Sequence, residues 1–172
     1  MAIVQDAIEG MPAVNIDDQE GARAAMQHVL AHGHREILIL AIRSGKYGRY
    51  EQYAGTLRDR MQGYREALNA HGLDVDGRQV RLMECSSTEK GGRQVFRKVL
   101  KSGWRPSAVV AMSDIIAIGV MREALEAGIM HLLPLVWNDL RRFVDQLTDH
   151  RTPDRFYPPL ALTQQDRIVV VN

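Results

Sequence analysis

Two unbroken apolar runs constrain this chain more than any other feature. Ile37-Leu38-Ile39-Leu40-Ala41-Ile42 and Ala108-Val109-Val110-Ala111-Met112 carry no polar side chain. A strand with one face in water alternates polar and apolar residues, whereas runs like these suit strands covered on both faces. Amphipathic segments stand before, between and after them, each closed by a glycine suited to the left-handed stop of a helix. Ala22, Ala25, Met26, Val29 and Leu30 precede Gly33; Ala54, Leu57, Met61, Tyr64 and Leu68 precede Gly72. Val95, Phe96, Val99 and Leu100 precede Gly103 and Pro106; Ile116, Val120, Ala124 and Leu125 precede Gly128. Val14-Asn15-Ile16 opens the pattern as a short strand, and Val80 to Glu84 adds another. Strand and helix thus alternate strictly over residues 14–128, as right-handed βαβ units require. The expected fold class is α/β, a doubly wound parallel sheet flanked by helices.

Beyond Gly128 the pattern weakens. Leu132 to Val136 reads as a strand interrupted by Pro134, which is unfavourable in a strand interior. Asp139 to Asp149 fits a short amphipathic helix, residues 151–160 a loop, and Ile168 to Val171 a final strand at the sheet edge.

Composition narrows the function classes. Lys plus Arg number 22 against 21 Asp plus Glu, a net charge of +1, so bulk electrostatics give no case for wrapping nucleic acid or an anionic membrane. The apolar stretches fall well short of the ~18–20 residues that span a bilayer. The first ten residues, MAIVQDAIEG, show no basic segment leading into an apolar core, so no secretory signal is expected. Cys85 is the single cysteine, which excludes an intramolecular disulfide or a CxxC site and is compatible with a reducing, cytoplasmic setting.

In open parallel sheets ligands bind beyond the carboxyl ends of the strands. The polar residues there are Asp17 and Asp18, Arg43 to Arg49, Cys85 to Thr88, Ser113 and Asp114, and Asn138 with Asp139. Carboxylates can accept from ligand hydroxyls, and an arginine offers a forked donor pair. Helix capping is the competing role for Asp17 and Asp114; Asp17 and Glu20 form a D-x-x-E capping pair, and Ser113-Asp114 opens a helix. Catalytic motifs are absent: Gly45-Lys46-Tyr47-Gly48 is no phosphate loop, and there is neither GxSxG nor HExxH. His28 and His32 stand four apart, a spacing that can bind zinc, but at a helix C-terminus the dipole already favours imidazolium without a metal. Cys85, with no base assigned to it, reads as an inert buried thiol. No cofactor is expected. Nor is a helix-turn-helix, zinc finger or basic region present to contact DNA.

Four segments, in register, resemble the lactose/galactose repressor family of bacterial transcription regulators. Val14-Asn15-Ile16-Asp17-Asp18-Gln19-Glu20-Gly21-Ala22 is similar to V-x-x-D-N-x-x-G-A. His28 to Ile37 resembles H-L-x-x-x-G-H-R-x-I, Arg60 to Leu68 resembles R-x-x-G-[FY]-x-x-A-L, and Pro106 to Asp114 resembles P-[TS]-A-[IV]-x-A-x-[NS]-D. The resemblance implies an effector-sensing domain related to periplasmic sugar-binding proteins, with this chain matching the C-terminal lobe of the type I fold. It implies residues 1–13 as a crossover from a first lobe, 14–129 as the effector-binding lobe, and 130–172 as a divergent tail. In that family a DNA-binding headpiece and most of a first lobe precede the matching segment.

Mapped by motif, Arg60 would donate to ligand hydroxyls or a carboxylate, and Asp114 would accept from hydroxyls. Asp18 and Glu20 would lie near the cleft mouth. Val136-Trp137-Asn138-Asp139 is similar to the family's Gly-[FYW]-[DN]-D loop without its glycine, which brings in Asp139. Gly63, costly in mid-helix by roughly 1 kcal/mol, is expected to permit close packing. The implied partners are a carbohydrate-type small molecule, operator DNA through a headpiece, and further copies of the chain, since a lone lobe exposes its cleft surface; no membrane partner is expected. The alternatives are a solute-binding protein of a transporter, and a small α/β enzyme.

Overall fold

The computed structural model describes residues 17–44 and 52–129 in full, together with the backbone of four short strands at 3–4, 13–14, 132–134 and 168–171. The elements run β1 (Ile3–Val4), β2 (Ala13–Val14), α1 (Asp18–Ala31), β3 (Ile37–Ile42), α2 (Gly55–Ala70), β4 (Val80–Cys85) and α3 (Glu89–Lys101). They continue with β5 (Ala108–Ala111), α4 (Asp114–Glu126), β6 (Leu132–Pro134) and β7 (Ile168–Val171). β1 and β2 form their own two-stranded parallel sheet. The main sheet has the order β4-β3-β5-β7-β6, and all of its pairs are parallel.

The two-sided strands behave as their composition demands. β3 lies between β4 and β5, with Ile37, Leu38, Ile39, Leu40 and Ala41 all fully buried. Ile37, Ile39 and Ala41 pack with α1 and α2, through Met26, Leu30, Met61, Tyr64 and Leu68. Leu38 and Leu40 face the other way, with Phe96, Val99, Ile116 and Val120 of α3 and α4. Period-two side-chain alternation therefore feeds two cores from one apolar run.

Within each layer the helices touch backbone to backbone. A Cβ on Gly63 of α2 would sit 2.1 Å from the Gln19 carbonyl oxygen of α1. Across the opposite layer, a Cβ on Gly119 of α4 would sit 2.2 Å from the carbonyl oxygen of Glu89 on α3. Close packing at Gly63 is as expected from its sequence context.

Several local expectations need correction. Ala54 is an exposed N-cap and not part of the core stripe of α2; the buried side chain is its neighbour Tyr53. Ser113 caps α4 by position only, its hydroxyl instead accepting from the Ser87 hydroxyl at 3.3 Å. β7 is not the edge strand, because it lies between β5 and β6. The edge position falls to β6, where Pro134 costs no interior ladder bond, since a proline without an N–H is tolerated at an edge. The helix expected at 139–149 and the loop at 151–160 lie outside the described residues.

The Gly33-His34-Arg35 run has a scaffold role. Arg35 donates from one guanidinium nitrogen to the carbonyls of Leu30 (3.0 Å) and His34 (2.8 Å), closing the end of α1. Arg105 repeats the device on α3, donating to Leu100 at 2.8 Å and Trp104 at 3.2 Å. These guanidiniums satisfy carbonyls that the last helical turn leaves open, where the dipole also favours positive charge.

An ionic network ties α3 to α4. Glu123, 5% exposed, accepts from the Arg97 guanidinium through both oxygens at 2.6 and 2.7 Å, with Arg93 at 3.5 Å. The hydrogen bonds from Arg97 are the main force holding the Glu123 carboxyl below its ordinary value, against the opposing effect of burial. A carboxyl with a depressed folded-state pKa contributes stability above its unfolded value and loses it as pH falls through the folded one. Glu123→Gln is therefore expected to melt below the wild type at pH 7. The two curves should converge on acidification below about pH 4, where carboxylates protonate. Parallel curves from pH 7 to 3 would show that this network contributes nothing to stability.

Candidate functional site

The main sheet changes direction between β3 and β5: β3 leads through α2 to β4 on one side, and the chain returns through α3 to β5 on the other. A crevice outside the strand ends is expected at such a switch point. α1 and α2 bring two of the sequence candidates to it.

Asp18 occupies the first turn of α1, where the helix dipole favours a carboxylate. Arg60 is on α2 beside the buried Met61 and one turn before the buried Tyr64, so its aliphatic stem leaves the core stripe near the end of β5. The glycine contact at Gly63 draws α1 against α2 and puts the two side chains within reach. Arg60 Nε donates to Asp18 Oδ1 at 2.8 Å, and Arg60 Nη1 donates to the Met112 carbonyl at 2.7 Å. Met112 itself continues the β5 ladder by donating its N–H to the Leu40 carbonyl at 3.0 Å. Among the described residues, these bonds occupy two of the five guanidinium N–H groups and leave three for a ligand. Tyr64 lies behind the pair; burial pushes its hydroxyl up to about 12, opposed by the Arg60 charge.

The remaining candidates fall in different places. Asp114 is exposed in the first turn of α4, two residues beyond the carbonyl that holds Arg60. Its neighbour Ser113 links to Ser87 in the loop after β4, so polar groups from the ends of β4 and β5 meet along this edge. Asp17 is a cap, accepting from the Glu20 N–H at 2.9 Å. Glu20 does not complete a reciprocal capping box: its exposed carboxylate takes two bonds from Arg23, at 2.5 and 2.7 Å. Two positions after Asp18 on a helix, it points about 200° away around the axis. The structure therefore does not bring Glu20 to the Asp18–Arg60 pair. Asp139, Asn138 and residues 45–49 lie outside the described residues.

Other reactive groups have ordinary explanations. Cys85 is buried at the end of β4, and burial pushes its thiol up to about 11 despite the nearby Arg43 charge, far from a nucleophile's range. His32 Nδ1 stands 2.8 Å from the His28 carbonyl, with the two rings 4.4 Å apart between centroids. Among the described residues no group of three His, Cys, Asp or Glu side chains could hold a metal ion, and no helix is long and apolar enough to cross a membrane. Two open grooves, about 450 and 410 Å³, lie on the outer surfaces of α3 and α2. Neither is lined by Asp18, Arg60, Met112 or Asp114.

Sequence reasoning missed the Met112 carbonyl. A main-chain acceptor carries no residue signature; the only available clue is its place as the last apolar residue before Ser113-Asp114.

Comparison with known proteins agrees with this architecture. Residues 1–154 match the family of periplasmic binding proteins and sugar binding domain of the LacI family. The chain is 32% identical over 120 residues to the HTH-type transcriptional regulator CelR of Thermobifida fusca, covering 70% of this chain and 32% of that protein. It is 28% identical over 119 residues to catabolite control protein A of Priestia megaterium, covering 69% of this chain and 33% of that one. A LacI family transcriptional regulator from Enterococcus faecium, solved with bound ribose, superposes with a TM-score of 0.61 at 28% identity over 74% of this chain and 44% of its own. The chain thus spans about a third of the length of the curated relatives it matches, the first of which is named as a transcriptional regulator. By the extent of the family match and the shared parallel-sheet fold, this chain belongs to the LacI family of effector-binding domains related to periplasmic binding proteins.

Proposed function

We propose that this chain is the effector-sensing portion of a cytoplasmic transcriptional regulator, taking a carbohydrate-type small molecule at the crevice beside β5. The observation that carries the reading is Arg60, fixed by Asp18 and the Met112 carbonyl with three N–H donors left over at the switch point. A rigid fork of donors beside accepting carboxylates suits the paired donor–acceptor character of sugar hydroxyls. Ribose bound to the Enterococcus faecium regulator supports the same ligand class. In this reading the site forms one wall of a cleft whose other wall comes from a second lobe. Contact with operator DNA belongs, in this reading, to a headpiece outside these residues, and the chain self-associates. The regulator names of the relatives favour this role over that of a transporter's solute-binding protein.

Thermal-shift measurements against neutral sugars, sugar phosphates and nucleosides test the reading. A true effector at a hundredfold excess over its Kd should stabilise the chain by ~2.7 kcal/mol. No stabilisation by any compound, on this chain or on one joined to a complementary lobe, would remove the proposal. A monomer in sedimentation at micromolar concentration would remove the self-association.

A further inference from the structure

We propose that Asp18 sets the charge specificity of the effector site, selecting uncharged polyhydroxyl ligands over anionic ones. The inference rests on the effector-binding reading and narrows its ligand class. A guanidinium at a strand end would by itself favour phosphate or carboxylate ligands, which it can grip through two parallel bonds. Here that attraction is already answered. Asp18 Oδ1 lies 2.8 Å from Arg60 Nε, and the two side chains are 9% and 29% exposed. Their fields are therefore screened less than those of a surface pair. Arg43, the cation at the end of β3, is exposed and screened by solvent.

The described charge bonded to the guanidinium is therefore the Asp18 carboxylate, one anion against one fixed cation. The three N–H groups that Arg60 retains still donate to neutral oxygens, whereas an anion drawn to them also meets the Asp18 charge. Two like charges a few ångströms apart at a protein surface repel strongly enough for roughly fivefold to several-hundredfold discrimination. An asparagine at this position, as in the D-N pattern that Asp17-Asp18 resembles, would keep an oxygen acceptor for Arg60 Nε and remove the charge.

The experiment compares wild type, Asp18→Asn and Asp18→Ala by calorimetry with neutral sugars, the phosphate esters of the same sugars, and inorganic phosphate. Melting curves establish that each variant folds. Wild type is expected to bind a neutral sugar and to bind its phosphate ester at least about tenfold more weakly. Asp18→Asn is expected to raise the ester-to-neutral affinity ratio by about tenfold or more, whatever its effect on neutral-sugar affinity. Asp18→Ala should shift the ester-to-neutral ratio in the same direction even if both affinities fall. Neutral-sugar binding with an unchanged ratio in both variants overturns the role of Asp18 and leaves the effector reading standing. Equal binding of ester and neutral sugar by wild type does the same. Absence of binding by every compound to all three proteins overturns the effector reading itself, and this inference with it.

Discussion

Gly63→Ala is expected to destabilise the chain by about 3 kcal/mol or more, although alanine is the better helix former by roughly 1 kcal/mol. The added Cβ would lie 2.1 Å from the Gln19 carbonyl oxygen and 2.8 Å from the Arg23 nitrogen, both main-chain atoms of α1. Neither can swing aside as a flexible side chain would, so the helices must separate or tilt. Separation also weakens the packing of Met26 and Leu30 against Met61, Tyr64 and Leu68. At 2–4 °C per kcal/mol for a chain of this size, the melting temperature should fall by about 6–12 °C. Gly21→Ala is the matched control. Gly21 is also helical, but a Cβ there meets nothing within 4 Å, and the substitution should stabilise by about 0.5–1 kcal/mol. Two alanine variants that both raise the melting temperature would disprove the close-approach account. Gly63→Ala should also loosen the Asp18–Arg60 contact, so any residual folded protein should bind effector poorly.

The second large effect belongs to Arg60→Ala. Removing the guanidinium strips Asp18 of its cation and the Met112 carbonyl of its donor in one step. Truncating one partner of a desolvated, hydrogen-bonded charge pair costs roughly 2–5 kcal/mol in affinity, equivalent to a ~30- to several thousandfold rise in effector Kd. Stability should fall less, by about 1–3 kcal/mol, because water can reach the vacated edge and hydrate the orphaned acceptors. Arg60→Lys should recover little affinity, since a point charge cannot span the Asp18 oxygen and the Met112 carbonyl in a fixed fork. Calorimetric titration with the effector found by screening reads this directly. Binding within threefold of wild type in Arg60→Ala would place the effector somewhere other than this strand edge.

The described part of the fold was largely legible in the sequence because its signals are local. Ile37 to Ile42 announces a two-sided strand, and the strand is buried on both faces. The four glycines expected to stop helices, Gly33, Gly72, Gly103 and Gly128, all take positive φ. Thr88 caps α3 by accepting from the Gly91 N–H at 3.0 Å. The errors lie where local and tertiary information part. Ile168 to Val171 reads as a strand, but nothing in four apolar residues specifies that β7 should insert between β5 and β6 and leave Pro134 at the edge. Ala54 fits the apolar period of α2, yet the helix begins one residue later and leaves it exposed.

The same division runs through the site. The sequence by itself determined the α/β alternation, the family, and a short set of polar residues at strand ends that included both Asp18 and Arg60. It treated Asp18 and Glu20 alike, because both belong to one acidic helix start. Only the tertiary structure separated them, turning Asp18 toward Arg60 from 42 positions away and committing Glu20 to its own helix through Arg23. It also supplied the Met112 carbonyl, an acceptor that every residue type carries. Secondary structure follows from periodicities a few residues long, whereas a site is made by helix packing across a sheet. There a glycine at position 63 decides how near two helices come and so which charges meet.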